Sequence, residues 1–364
     1  MNWSGCRNIL IIRPDNMGDL LMSSPAIRAL KETFNCRITV LTSSLGAEAA
    51  TLIPEIDETI VSPVGWVRNK KAIGPEEMFS LALYLKSRSF DAAVVFNVYS
   101  QNPLPSAMLA WMAGIPKRLA YCRENPYELI NYWIPDKEPF TCILHQVERD
   151  LELVKHIGVK ITDDHIRLHI EDSSIDTSKI KLAGLIPNVS EYVVIHAGVS
   201  ELKRAYPNEK WVELARAVSE KFGLPIIFTG SKAEKPLTEK LQKETGDNSY
   251  SAAGLFDIPE LAALIKGSRL LISVNTGPVH IAAGLKVPVI VLYARTNPQH
   301  VPWKTESRVF EFNVSSRIES KNEVIRYVNR TLYKHPLPYP DASQIIPSVH
   351  ELLSQSAVQS SSQV

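Results

Sequence analysis

Cysteine is scarce in this chain, and no group of residues has the spacing of a metal site. The 364 residues include only four cysteines, which lie far apart and form no CxxC pair: Cys6, Cys36, Cys122 and Cys142. This usage is typical of reduced thiols in the cytosol and not of a disulfide framework. Asp163-Asp164-His165 comes nearest to a ligand cluster, but it lies in a polar stretch. We therefore expect no bound metal and no other cofactor.

The chain has neither an excess of positive or negative charge nor a long apolar run. The formal net charge is +1, which gives no electrostatic argument for a nucleic-acid partner. No apolar run reaches the roughly 18 residues of a membrane-spanning helix. The apolar stretch near the start is short and is interrupted by Arg13, which argues against a signal peptide. These features predict a soluble globular protein of the cytoplasm.

Two common nucleotide-binding motifs are absent as well. The chain has no G-x-G-x-x-G, the glycine pattern of dinucleotide-binding turns. It also has no G-x-x-x-x-G-K-[ST], the phosphate loop of many ATPases. These absences argue against the usual dinucleotide-binding turn and against a P-loop ATPase.

What the chain does have is a repeated alternation of buried strands and amphipathic helices. The first strand is predicted at Asn8–Arg13, and the alternation starts again after a polar stretch at Glu171–Ser178. Such alternation is typical of parallel sheets with helices on both faces. We predict two doubly wound α/β domains that face each other across a cleft, which the loops at the carboxyl ends of the strands line. The predicted divisions are an N-terminal domain, a C-terminal domain, and a last helix with a disordered tail: 1–172, 173–340 and 341–364.

The stretch from Leu270 to Trp303 has the clearest pattern for ligand binding. An apolar strand is followed by the polar turn Asn275-Thr276-Gly277, by a short helix that begins at Pro278, and by a second apolar strand. Proline suits the first position of a helix because it has no N–H to leave unpaired there. The free amide groups of the turn and the positive end of the helix favour a phosphate. His280 lies one helical turn further, although a single histidine on a short buried helix is more often a satisfied core residue.

A second candidate is the turn Asn16-Met17-Gly18-Asp19, which follows the first strand. A carboxylate on such a turn, at the carboxyl edge of a sheet, could take a proton from a substrate hydroxyl group. Asp19 could equally cap the helix and complement its dipole. Position alone does not decide between the two interpretations.

Further turns of this kind lie in the second half of the chain. His196-Ala197-Gly198 follows a strand, and Lys203 and Arg204 come shortly after it. Glycine with nearby cations suits a diphosphate, although a solvated basic pair in a loop is the alternative. Glu234, in the turn T-G-S-K-A-E, could accept ribose hydroxyl groups or cap its helix. The loop Thr296–Trp303 is either another part of the site or a rigid turn closed by a tryptophan.

Taken in order, these turns resemble the heptosyltransferases of glycosyltransferase family 9, the lipopolysaccharide-core type. The resemblance is strongest in I-I-R-P-D-N-M-G-D-L-L-M-S-S-P-A-I-R-A-L and in the run from Ser251 to Tyr293. It implies two Rossmann-like domains in the GT-B arrangement, with the acceptor on the N-terminal half and the donor on the C-terminal half. It also implies an inverting, metal-independent transfer of a heptose-like sugar from ADP-heptose to a saccharide or lipid-linked saccharide acceptor, such as the lipopolysaccharide core.

The resemblance carries roles to individual positions. Asp19 matches the proposed general base of the family, Lys203 or Arg204 matches a lysine that contacts the donor phosphates, and Glu234 matches a carboxylate that binds the donor nucleoside. The phosphate loop D-T-G-x-x-H corresponds to Asn275, Thr276, Gly277, Pro278 and His280. The chain departs from the family at the first of these, where asparagine replaces aspartate. The family's K-x-W-P pattern reads R-A-Y-P here, with a lysine one place earlier, so either cation could contact phosphate.

These roles combine into one mechanism. Asp19 deprotonates an acceptor hydroxyl group, which displaces the diphosphate in a single inverting step. Lys203 or Arg204 and the turn at 275–278 then meet the charge of the leaving group. Two other classes stay open: a nucleotide-sugar epimerase of the same architecture, which needs no acceptor, and a non-catalytic nucleotide-sugar-binding protein.

A peripheral contact with the inner face of the cytoplasmic membrane is a further hypothesis. The segment 104–118 combines Trp111 and Met112 with Lys117 and Arg118, a mixture that interfacial helices use. The alternative is an ordinary core helix with a polar end.

Overall fold

The computed structural model describes residues 3–67, 73–314 and 320–361, with side chains described as far as Gln355. The chain divides into two units, Met1–His169 and Ile170–Val364. Each unit contains one six-stranded sheet. In the described part of the chain, no helix is both long enough and apolar enough to cross a membrane.

The first unit is built on a parallel sheet whose first strand lies near the middle. Its strands are β1 (Asn8–Ile12), β2 (Arg37–Thr42), β3 (Glu58–Val61), β4 (Ala92–Val95), β5 (Lys117–Cys122) and β6 (Tyr132–Pro135). Their spatial order is β3-β2-β1-β4-β5-β6, and neighbouring strands run parallel. β1 and β4 are apolar and buried because helices cover both faces of such a sheet. The strand order reverses between β1 and β4, which is where ligands bind in open α/β sheets.

The α-helices of the described part of this unit are α1 (Met17–Phe34), α2 (Ser44–Ala50), α3 (Pro75–Ser87), α4 (Leu104–Met112) and α5 (Gln146–Lys155). α1 continues through Pro25, which lies inside the helix. α5 packs against α1. This packing matters for the site, because it brings a late segment of the unit beside the turn that follows β1.

The second unit repeats the same sheet. Its strands are β7 (Val193–His196), β8 (Ile226–Thr229), β9 (Ser249–Ser251), β10 (Leu270–Val274), β11 (Val289–Ala294) and β12 (Ser307–Phe312). Their order, β12-β11-β10-β7-β8-β9, is again parallel throughout. The reversal lies between β7 and β10. Both sheets therefore have the 3-2-1-4-5-6 order of the dinucleotide-binding fold.

The helices of the second unit are α6 (Asp172–Leu185), α7 (Asn208–Phe222), α8 (Lys235–Thr245), α9 (Ile258–Lys266), α10 (Gly277–Gly284), α11 (Glu323–Leu332) and α12 (Ala342–Ser361). α12 packs on α7, β10 and β12. Its buried side chains Ile345, Val349 and Leu352 belong to the core of this unit. The last helix is therefore part of the second sheet's apolar covering.

The predicted α/β class is confirmed. The polar stretch that was expected to mark the domain boundary forms the first two turns of α6, close to the division between the two units. The segment before α5 contains β6, whose alternating burial gives no apolar run in the sequence. The predicted disordered tail is helical as far as Ser361, and 362–364 lie outside the described residues.

Candidate active site

Asp19 lies in the first turn of α1, at the carboxyl edge of the first sheet. Its Oδ2 accepts a hydrogen bond from the amide N–H of Asn16 at 3.3 Å. Its Oδ1 lies 3.4 Å from Nη2 of Arg13, and its side chain is 12% exposed. The carboxylate therefore closes the helix start, as the capping interpretation expected. It also retains an accessible surface and a cationic partner, so capping and proton transfer are compatible at this position.

Arg13 is the cation at this edge, and it is fully buried. Its amide N–H donates to the carbonyl of Leu41 at 3.0 Å, which fixes the residue directly after β1. Its Nη1 lies 3.4 Å from Asp15 Oδ2. Gln101, which follows β4, donates from Nε2 to Asp15 Oδ1 at 2.6 Å. Groups that follow the two central strands thus meet where the strand order reverses.

The pKa of Asp15 is set by its burial and by the charges of Arg13 and Asp19. Burial raises the pKa of Asp15 to about 6, Arg13 opposes the rise, and the negative charge of Asp19 adds to it. A carboxyl group of this kind changes its charge much closer to neutral pH than an exposed aspartate does. The turn after β1 therefore contains two carboxylates in different environments, one buried and one partly exposed.

A second buried carboxylate, Asp150, reaches the same region from α5. Ser23 donates from Oγ to Asp150 Oδ2 at 2.6 Å, although the two residues are 127 positions apart. Gln146 donates from Nε2 to Oδ1 at 2.8 Å. Burial raises the pKa of Asp150 to about 6, and Arg13 is the strongest opposing influence. Ser23 lies one helical turn beyond Asp19, so α1 connects the two carboxylates.

Arg149, next to Asp150, is buried with a different set of partners. Its Nη1 and Nη2 donate to the two oxygens of Asp136 at 3.0 and 2.9 Å, and Nη1 also donates to Glu138. Its Nε donates to the carbonyl of Asn97 at 3.0 Å. The guanidinium lies 4.5 Å from the centre of the Tyr121 ring. Its donors are therefore committed to holding the loop after β6 against α5.

The sequence did not identify Asp15, Asp150 or Arg149 as members of this cluster. Asp15 belongs to the I-I-R-P-D run, so a buried strand followed at once by charged residues was the only indication. Asp150 and Arg149 lie on a helix that the sequence described only by its apolar face. Nothing in the helical spacing says that these charged side chains are buried.

In the second unit, the turns after β7 and β8 come together. Glu234 accepts hydrogen bonds at Oε2 from the N–H of Ser231 at 2.6 Å and from its hydroxyl at 2.9 Å. A Cβ on Gly198 would lie 2.2 Å from Glu234 Oε1, so the carboxylate rests against the bare backbone of that glycine. Burial lowers the pKa of His196, against the opposing effect of Glu234. The predicted turns thus form one group, in which Glu234 also caps its own turn.

The turn after β10 precedes α10 as the sequence predicted, with Thr276 as the residue before the helix and Gly277 and Pro278 as its first residues. The Asn275 side chain lies against β11. It donates to the carbonyl of Ala294 at 3.2 Å and accepts from the N–H of the same residue at 3.2 Å. It also donates to Thr296 Oγ1 at 3.3 Å. Asparagine at this position therefore joins the ends of two neighbouring strands.

The two cations of the predicted phosphate group have different surroundings. Arg204 donates from Nη1 to the carbonyl of Asn275 at 3.2 Å, which brings it to the turn after β10. Lys203 pairs with Glu201 at 3.0 Å and lines a pocket of about 190 Å³ beside Arg295 and Thr296. The structure therefore brings Arg204 directly to the predicted phosphate turn and Lys203 to its neighbourhood.

His280 is buried on α10. Its ring lies edge-on to that of His300, with 6.3 Å between the ring centres. This contact joins α10 to the loop after β11, which the sequence described as either a part of the site or a rigid turn. The histidine therefore has the buried environment that the core interpretation described.

The acidic group Asp163-Asp164-His165 has its charge met by protein cations. Asp163 lies 2.6 Å from Arg167 and 3.4 Å from Arg28, and it contacts the His165 ring at 2.7 Å. Burial opposes ionisation, but hydrogen bonds from His165 and the two arginines lower the pKa of Asp163 to about 2. Among the residues that the structure describes, this is the group with ligand-like spacing. Its geometry is that of an ion-pair network.

Comparison with known proteins gives a consistent result. A family model described as glycosyltransferase family 9 (heptosyltransferase) matches residues 78–326. Lipopolysaccharide heptosyltransferase 2 of Escherichia coli K12 is 24% identical over 309 residues, which cover 81% of this chain and 84% of the relative. Lipopolysaccharide heptosyltransferase 3 of Escherichia coli is 25% identical over 359 residues, covering 93% and 97%. The range matched by the family model includes the candidate residues of the second unit but not Asp19.

Solved structures show the same fold. A glycosyl transferase family 9 protein of Veillonella parvula has a TM-score of 0.75 at 17% identity, covering 98% of this chain and 99% of that one. The E. coli ADP-heptose heptosyltransferase II has a TM-score of 0.72 at 19% identity, covering 96% and 99%. The predicted pair of Rossmann-like domains of the GT-B class is confirmed by these similarities.

Proposed function

The chain belongs to glycosyltransferase family 9, the heptosyltransferases, and from this premise we propose that it transfers a heptose from ADP-heptose to a saccharide of the lipopolysaccharide core. The predicted enzyme class, a glycosyltransferase, follows from the family. The epimerase and the non-catalytic binder are set aside on the same ground. The names of the relatives support the donor and the acceptor, since they are lipopolysaccharide and lipooligosaccharide heptosyltransferases.

Asp19 is proposed as the general base. The observation that carries this role is its partly exposed carboxylate, which is paired with the buried Arg13 at the carboxyl edge of the first sheet. An ionised carboxylate there can accept the proton of an acceptor hydroxyl group as the oxygen attacks the anomeric carbon. One displacement inverts the configuration at that carbon. A second carboxylate nucleophile is then unnecessary.

The donor half is proposed to lie on the second unit. The turn at 275–278 precedes the positive end of α10, and Arg204 is hydrogen-bonded to that turn, so both favour a diphosphate. Glu234, beside Gly198, is proposed to accept hydroxyl groups of the donor nucleoside. Thr276, Gly277, Pro278, His280 and Lys203 complete the proposed phosphate surroundings. Protein cations and helix amides would meet the charge of the leaving ADP.

The proposal is tested with the purified full chain, ADP-heptose and a heptose-deficient lipopolysaccharide. We expect ADP release that depends on the acceptor, together with a mass gain of one heptose on that acceptor. UDP-glucose and GDP-mannose serve as matched donors and should give a much lower rate. Equal rates with a different nucleotide sugar would contradict the donor assignment. Interconversion of the donor without an acceptor would contradict transfer altogether.

We also propose that the enzyme works in the cytoplasm and touches the membrane surface. α3 and α4 pack together and expose Phe79, Leu83, Met108 and Trp111, each at least 42%. The sequence hypothesis combined Trp111 and Met112 with Lys117 and Arg118. Arg118 does not serve this contact, because it is buried and donates to carbonyl groups of residues 115, 128 and 129. The apolar side chains are therefore the support for this contact. The four cysteines are unpaired, which suits a reducing compartment.

Co-sedimentation with vesicles of phosphatidylethanolamine and phosphatidylglycerol tests the contact. A double variant, Leu83→Ser with Trp111→Ser, should lower the bound fraction several-fold while leaving the thermal midpoint nearly unchanged, because both side chains are exposed. Leu202→Ser, which changes another exposed leucine in the other unit, is the matched control. Equal binding by the wild type, the double variant and Leu202→Ser would remove the membrane proposal without affecting the assignment of the reaction.

A further inference from the structure

We propose that Arg13 is a positioning residue for catalysis: it holds the Asp19 carboxylate in its ionised, reactive orientation, and Asp15 and Asp150 balance its charge from behind. This inference rests on the proposed role of Asp19 as the base. It concerns a buried cation that the sequence pattern did not single out.

The guanidinium is held in a fixed place. Arg13 directly follows β1, and its N–H is bound to the carbonyl of Leu41 on β2 at 3.0 Å. The side chain is completely buried. A buried charge is tolerated only where opposite charges surround it. Its position at the end of the central strand aims that charge at the edge of the sheet where Asp19 lies.

Carboxylates are the partners of this cation. Nη2 lies 3.4 Å from Asp19, and Nη1 lies 3.4 Å from Asp15. Asp150 and Arg149, both on α5, are the other charged groups close enough to act on it. The positive charge of Arg149 is met by Asp136 and Glu138. Arg13 therefore carries the positive charge that faces three carboxylates from β1, α1 and α5.

Among the described residues of the first unit, the buried arginines differ in how their donors are used: Arg118 and Arg149 are hydrogen-bonded through theirs, whereas Arg13 and Arg28 each have an Nε and an Nη1 that make no hydrogen bond. Arg118 donates to three main-chain carbonyl groups. Arg149 makes four hydrogen bonds, to the carbonyl of Asn97 and to the carboxylates of Asp136 and Glu138. Arg13 has Nε and Nη1 without a hydrogen bond to any described residue. The hydrogen bond that it makes in the site is the one from Nη2 to Asp19 Oδ1 at 3.4 Å, and the attraction between the two charges adds to this contact.

Removal of the cation has a defined consequence. Without it, Asp15 and Asp19 would lose the guanidinium that lies 3.4 Å from each of them, and the two like charges would remain close together. Asp19 would lose the contact that fixes its Oδ1 and the attraction that favours its charged form. Both changes reduce its ability to accept a proton, while the donor turns of the second unit are left unaltered.

The test compares the pH dependence of kcat for the wild type, Arg13→Gln and Arg13→Lys. We expect Arg13→Gln to lower kcat roughly 100-fold and to move the acidic limb of the profile upward by about one pH unit. The KM for ADP-heptose should stay within about twofold. Arg13→Lys keeps the charge, so it should hold the acidic limb at its wild-type position and restore about a tenth of kcat.

A second variant separates charge from stability. Asp15→Asn in the Arg13→Gln background removes one uncompensated carboxylate, so the acidic limb should return towards lower pH. A purely structural role predicts no such return. Arg118→Gln is the matched control for loss of a buried arginine in the same unit, and it should lower the thermal midpoint without moving the limb. Thermal melts of every variant show that the folded protein is being compared.

Three outcomes would overturn the proposal: an unshifted acidic limb in Arg13→Gln, a kcat loss no larger than that of Arg118→Gln, or no difference between Arg13→Lys and Arg13→Gln. The proposed function fails in a different way. If Asp19→Asn retains wild-type transfer, the base assignment is wrong. If Asp19→Asn is inactive and Arg13→Gln resembles the wild type, only the role of Arg13 is lost.

Discussion

The two sheets have the same strand order, but different groups line their carboxyl edges. The first holds buried charges, Arg13, Asp15 and Asp150, behind the partly exposed Asp19. The second holds a helix start, bare glycine backbone and the neutral side chain of Asn275. Buried carboxylates suit proton transfer, whereas main-chain amides and helix ends suit an anion. One fold therefore supports two chemistries, because each is set by the loops and not by the sheet.

The largest effect is expected from Asp19→Asn, which removes the proton acceptor and keeps the shape. We expect kcat to fall roughly 100- to 10,000-fold, with the affinity for ADP unchanged in titration calorimetry. Glu234→Gln is the matched exchange on the second edge and should instead weaken ADP binding. If Asp19→Asn lowered the affinity for ADP as much as it lowered kcat, proton transfer and ADP binding would not be separate properties of the two edges.

Asn275→Asp replaces a neutral side chain of the second edge with a negatively charged one. Asparagine donates to the carbonyl of Ala294 and accepts from its N–H, whereas an ionised aspartate can only accept. We expect the free energy of unfolding to fall by about 1–3 kcal/mol, the cost of an unmade buried hydrogen bond, in urea titrations. Asn248→Asp, at an exposed site, is the control and should change it by less than about 0.5 kcal/mol. Equal values for the two variants would show that β11 accommodates the carboxylate.

Gly198→Ala tests the contact between the first two turns of the second edge. The added Cβ would lie 2.2 Å from Glu234 Oε1, so the carboxylate has to move. Because that carboxylate ends a flexible side chain, we expect little change in stability but about a tenfold loss of ADP affinity, or about 1.4 kcal/mol. Gly184→Ala on α6 enters open space and should leave ADP affinity unchanged. Normal affinity in Gly198→Ala would remove Glu234 from the donor site.

A last effect concerns the pH dependence of stability on the first edge. The pKa of Asp150 is raised from 3.8 to about 6 in the folded chain, so the folded state binds this proton more tightly than the unfolded state does. Its contribution to stability is therefore lost as pH rises from about 4 to about 6. Asp150→Asn removes this loss, so we expect the variant's stability to fall less than that of the wild type between pH 4 and pH 7, by up to about 3 kcal/mol. Urea melts across that range measure it, and an unchanged slope would contradict the raised pKa.

The positions of the turns could be predicted because parallel strands end at one edge of a sheet. Asp19, Arg204 and the turn after β10 were found in this way, from apolar runs followed by polar residues. The choice between Lys203 and Arg204 could not be made, because adjacent side chains on one short turn point in different directions. The hydrogen bonds between the Asn275 side chain and β11 could not be predicted either, because the sequence does not show which way an amide side chain faces.

The sequence by itself determined the alternation of strands and helices, the strand ends at which the candidate residues lie, and the resemblance that names the family. These are properties of short segments, and hydrophobic period and turn chemistry record them locally. Only the tertiary structure decided that Asp150 and Ser23, 127 positions apart, share a hydrogen bond, and that Arg13 is buried among carboxylates. The physical reason is that such contacts depend on how α5 packs against α1, which no local period encodes.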